Sequence, residues 1–183
     1  MNVFLPFENS VRESVQALDD VRLNKSAVEC YQLLTMAERE KKLGEPTSKG
    51  HYHHPVYMFY KDNPAFLAYY GLCCCVEYFY RFNKRHKTTS YFTDLGSKYK
   101  FFGIYDNIVV RMYEPYYIPY YMEGSKGQPN YIRTTQNVGE LFRKKLVKKW
   151  VQDTKKGRPP KWTNREVPEF YKEAIKGEQK NDD

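Results

Sequence analysis

Long apolar runs are missing from this 183-residue chain; none approaches the roughly 20 residues that a membrane-spanning helix needs. The opening stretch MNVFLPFENS has no basic segment leading into an apolar one, so no secretory signal is expected. Cysteine is scarce: Cys30, Cys73, Cys74 and Cys75, three of them consecutive. That pattern excludes a regular disulfide framework and lacks the C-x-x-C spacing of a zinc site. Consecutive thiols on a helix point about 100° apart, so buried, reduced thiols in a cytoplasmic protein are expected. Histidine is as sparse. His51, His53 and His54 cluster, but nothing nearby completes a metal-ligand set. Acid is in deficit too, 22 residues against 30 basic ones, for a net charge of +8. No internal repeat or low-complexity block stands out.

What is abundant is aromatic. Phe, Trp and Tyr make up 17% of the chain, and 18 tyrosines supply most of the excess. Tyrosine can bury its ring and keep a wet hydroxyl, which suits a contact surface as well as a core. The length fits one domain with a real core. A single domain is expected over residues 1–176, with a disordered tail at 177–183.

Local signals mark the helices. Residues 10–18 read as a short first helix. Asp19 or Asp20 then caps a second, which runs to about Lys42 before Gly44 and Pro46 stop it. Leu23, Ala27, Cys30, Tyr31 and Leu34 form its apolar stripe, with Arg22, Lys25, Glu29 and Gln32 on the polar side. A short helical segment is expected near Val56–Lys61. Asn63-Pro64 starts a nearly all-apolar helix, the expected central one, ending near Phe82. Residues 88–131 interleave Tyr, Gly and Pro, and predict irregular structure with one short helix or strand. Asn137 caps a helix with the stripe Val138, Leu141, Phe142, Leu146 and Trp150. The last segment should be extended at first and helical near Phe170.

The charge is unevenly placed. Between Arg133 and Lys161 stand ten basic residues and two acids, Glu140 and Asp153, so this segment alone carries the net excess. A lysine-studded helix is commonly just a solvated face. Here Trp150, Trp162 and Tyr171 are interleaved, and cations beside stackable rings are the footprint of a nucleic-acid binder. Arg143, Lys144, Lys148, Arg158 and Trp162 are the expected contacts.

LDDVRLNKSAVE (18–29) resembles the helix that carries the catalytic glutamate in the phage endonuclease V family, the pyrimidine-dimer DNA glycosylases. Leu18, Asp20, Leu23 and Glu29 stand at that family's spacing. MFYKDNPAFL resembles the family's approach to its long central helix. His53-His54-Pro55 resembles a His-Pro of bacterial relatives, and RPPKW loosely resembles an Arg-Pro-X-Trp ending. The main resemblance covers roughly residues 1–85. It implies an all-α, compact, single-domain DNA repair enzyme that needs no cofactor. Its expected partner is double-stranded DNA, with no metal and no membrane, and its expected state is monomeric.

The resemblance also implies a mechanism. The main-chain N-terminal amine attacks C1′ of the damaged nucleotide, releases the base and forms a Schiff base. The glutamate supports that step and the β-elimination that nicks the strand. The implied catalytic residues are Glu29 and whichever of Met1 or Asn2 bears the amine. An α-amine suits the task because its pKa is near 7.7–8.0; roughly a tenth of it is neutral at pH 7, far more than of a lysine. Arg22 and Lys25 would keep Glu29 ionised and hold flanking phosphates, with His53 and His54 as further contacts or as turn residues. Val28 and Gln32 replace basic positions of the family archetype, and Arg22 replaces a histidine. Tyr113, Tyr116, Tyr117, Tyr120 and Tyr121 either stack on bases or pack a loop. Two other functions remain open from sequence: a glycosylase without lyase chemistry on a modified base, and a non-catalytic DNA-binding module.

Overall fold

A computed structural model describes residues 3–44, 51–99, 122–123, 129–130 and 138–179. Met1, Asn2, the tyrosines of 113–121, Arg133, Asn137 and the last four residues lie outside the described residues. The architecture is all-α. Seven helices are described: α1 (Val11–Gln16), α2 (Asp20–Leu43), α3 (Pro55–Tyr60), α4 (Pro64–Phe82), α5 (Thr89–Lys98), α6 (Val138–Lys155) and α7 (Glu169–Gln179). A two-residue antiparallel pair joins Met122–Glu123 to Pro129–Asn130.

The caps explain most helix ends. Ser10 accepts the Glu13 amide at the start of α1. Gly44, with φ of 75°, takes the left-handed conformation that closes α2, and its amide bonds back to the Glu40 carbonyl. Pro64 occupies the first turn of α4, where its missing N–H costs nothing. Segment 88–131 contains both a helix, α5, and the short strand pair. Helix α7 begins one residue before Phe170 and continues through Gln179, three residues into the expected tail.

Apolar on nearly every side, α4 becomes the centre of the core. It packs against α2, α5 and α1, and Tyr69, Tyr70, Leu67, Cys74 and Cys75 are fully buried. Gly71 lets α5 approach closely, because a Cβ there would fall inside the Phe92 ring. All four cysteines are free and buried. In the stripe of α2, Tyr31 is half exposed and Leu33 takes the expected inward place. Tyr31 instead meets the Tyr91 ring of α5 edge-on at 4.8 Å.

The chain beyond α5 returns to the front of α2 through a polar network. Asp20 accepts the Thr163 amide and hydroxyl and an arm of Arg81. Arg81 also binds Glu77 and the Gln16 carbonyl, and Arg165 pairs with both oxygens of Glu77. Two buried charges therefore neutralise each other with their hydrogen bonds filled, as burial requires.

Candidate functional site

Val21, Arg22, Lys25, Ser26 and Glu29 follow one another at helical spacing along a single side of α2. They form one wall of a cavity of about 150 Å³. Lys149 and Asp153, one turn apart on α6, form the facing wall, and Phe4 closes it. Glu29 is only 8% exposed. The acid expected on a polar helix face is therefore roofed by the first residues of the chain and by α6.

Several contacts hold that roof. The Phe4 carbonyl accepts the Tyr70 hydroxyl at 2.9 Å, and the Phe4 ring meets Phe142 edge-on. Ser14 Oγ receives the Phe7 amide and donates to the Phe7 carbonyl. Arg143 reaches the Pro6 carbonyl at 3.3 Å, and Glu8 accepts the Gly139 amide. Val3, Phe4 and Leu5 are all buried. The chain start is thus fastened to α4 and α6, beside Glu29.

Helix α6 is clamped to α2 by one arginine. Arg22 donates to Asp19 at 3.0 Å and to Asp153 at 2.8 Å. Trp150, fully buried, donates its indole N–H to Asp19 at 2.7 Å. Asp19 stands at the cap of α2, but these two partners engage its side chain, which makes no cap bond. Arg22, expected to grip phosphate, is therefore committed to joining two helices. The same pairing holds the Asp153 carboxyl below its ordinary range, the Arg22 hydrogen bond being the main cause.

Lys25 Nζ lies 3.7 Å from Glu29 Oε1 with most of the lysine side chain in solvent. Cys30, next to Glu29, is not a competing nucleophile. Burial pushes its thiol up, and the Glu29 charge adds to the effect.

Most of the other expected residues lie elsewhere. His54 caps α3, its Nδ1 accepting the Val56 amide, and His53 is exposed at the end of the preceding turn. Helix α3 meets α2 near Glu40, through Tyr57 and Lys61; eleven residues along a helix separate Glu40 from Glu29 by about 16 Å. Arg143, Lys144 and Lys148 line a different groove, between α6 and α7, floored by Val147, Val151 and Phe170. Arg158 pairs with Asp153 at 3.4 Å. Trp162 is 9% exposed; it donates to the Ala17 carbonyl and packs on Trp150 and Tyr171.

Phe4, Asp19, Lys149, Trp150 and Asp153 were not anticipated at the site. A signal existed for three of them: Lys149 and Asp153 flank the apolar stripe of α6 at i, i+4 spacing. Two acids where a helix needs one cap pointed the same way for Asp19.

Residues 1–90 match the family model for pyrimidine dimer DNA glycosylase. That span covers α1 to α4 and the first residues of α5, while α6 and α7 lie beyond it. No curated protein and no solved structure matches the chain.

Proposed function

Through residues 1–90 this chain belongs to the pyrimidine dimer DNA glycosylase family, and from that premise we propose that it is a glycosylase with apurinic/apyrimidinic lyase activity. Its substrate is a damaged or modified pyrimidine in double-stranded DNA. The observation that carries this reading is the shared cavity of Glu29 and Phe4. A carboxylate and the start of the chain meet in one basic hollow.

Two residues precede Val3, and two residues of chain span at most about 7 Å. An amine on Met1, or on Asn2 once Met1 is removed, can therefore lie no farther than that from Val3, the residue before Phe4. The neutral amine attacks C1′, the C1′–N bond to the base breaks, and the base leaves with a proton. The sugar ring opens to an iminium joined to the protein. Loss of a C2′ proton and departure of the 3′ phosphate then break the strand. Glu29 stabilises positive charge at C1′ in the first stage and accepts the C2′ proton in the second.

Borohydride reduction with an abasic-site oligonucleotide tests the proposal. The intact mass of the product should show one DNA adduct, and peptide mapping should place it on the N-terminal amine. Abasic product with no adduct would leave a glycosylase without lyase chemistry. No product and no adduct would end the enzymatic reading.

A further inference from the structure

Lys148 and Lys149, neighbours on α6, face different surroundings. Lys149 lines the Glu29 cavity together with Asp153. Lys145 lies one turn before Lys149, about 40° from it and about 60° from Lys148 around the helix axis. Lys144 and Lys148 are each displaced by one residue from those positions, hence by about 100°. They line the outer groove against α7, whose floor is Val147, Val151 and Phe170. The direction of α6 is set independently by Phe142, Leu146 and Trp150, buried at 2%, 0% and 0% exposure. Sequence neighbours of the same type are thereby sorted onto different surfaces.

The cavity needs a cation from α6. On α2, Arg22 is engaged by Asp19 and Asp153, which leaves Lys25 as the other basic residue of that wall. A sugar placed at Glu29 brings two flanking phosphates with it, and one lysine cannot neutralise both. A duplex backbone also has no apolar face to cover the floor of the outer groove.

We infer that Lys145 and Lys149 hold the phosphates of the strand at the Glu29 cavity, and that Lys144 and Lys148 do not. This rests on the function proposed above and names its substrate-holding residues. They lie outside the family-matched half, so this chain supplies part of its DNA grip from its own C-terminal segment.

The test compares two double variants of equal charge, Lys145→Gln/Lys149→Gln and Lys144→Gln/Lys148→Gln. Each removes two positive charges from exposed or half-buried positions. The probe is a duplex carrying a tetrahydrofuran abasic analogue, titrated by fluorescence anisotropy at several salt concentrations. Each lost phosphate contact lowers the salt slope by about 0.9, so the first variant should bind on the order of 30-fold more weakly at 0.15 M salt. The second should stay within about threefold of wild type. Equal losses would overturn the assignment, as would a larger loss in the second variant. Borohydride trapping by the wild type separates the two proposals. An adduct with equal losses leaves the enzyme and removes the lysine assignment. No adduct with unequal losses removes the lyase chemistry and keeps the DNA face. Absence of duplex binding by the wild type removes both.

Discussion

Glu29→Gln separates chemistry from folding at this site. Glutamine keeps the shape and one carbonyl acceptor, removes the charge and turns the other oxygen into an NH2 donor. Among the interactions weakened is the ion pair with Lys25, at 3.7 Å and with the lysine side chain 69% exposed. A pair of that kind at i, i+4 contributes about 0.3–0.5 kcal/mol. Glu29 itself is 8% exposed, so neutralising it also relieves some desolvation, which acts in the opposite direction. Stability should therefore change by less than about 1 kcal/mol, roughly 2–4 °C in Tm for a chain of this size. A positioned acid–base group contributes about 10²–10⁴ in rate, or roughly 3–5 kcal/mol of barrier. The chemical effect exceeds the structural one several-fold. Single-turnover nicking of an abasic duplex, run beside thermal unfolding, reads both. Nicking within threefold of wild type would refute the role of Glu29. Activity and Tm falling together would make it a packing residue.

Arg22→Met and Asp153→Asn should each destabilise the fold, and their double-mutant cycle in urea should show coupling of about 0.5–3 kcal/mol. Because the Asp153 carboxyl is held below its ordinary value, its contribution is present above the ordinary range, near pH 4, and is lost as pH falls through the lowered value. Asp153→Asn should thus flatten the acid side of the stability profile, and an unchanged profile would contradict the tether. Gly71→Ala should cost about 1–3 kcal/mol by forcing Phe92 aside; a neutral result in chemical denaturation would show that α4 and α5 are not so close. Trp162→Phe should lose about 1–3 kcal/mol through the orphaned Ala17 carbonyl. Its DNA affinity should keep the wild-type salt slope, since the ring faces Trp150 and Tyr171 and not solvent.

The elements of this fold were legible where their signals are local. Asn63-Pro64 marked the start of α4, Gly44 ended α2, and the apolar wrap of α4 announced a central helix. The candidate site was legible in three residues of α2, Arg22, Lys25 and Glu29, through helical and motif spacing. Its surroundings were not. Arg22 looked like a free cation because its two acceptors are Asp19, three residues back, and Asp153, on another helix. Trp162 looked like a stacking ring because nothing nearby in the chain reveals Trp150 and Tyr171 around it.

Helix positions, the +8 charge and its crowding into the C-terminal third were set by the order of residues alone, because caps, breakers and composition act over a few bonds. The tertiary structure decided that Glu29 is roofed by the chain start, that Arg22 joins helices, and that Lys149 faces the cavity while Lys148 faces away. Those outcomes depend on which side of α6 packs toward α2, and contacts more than a hundred residues apart make that choice.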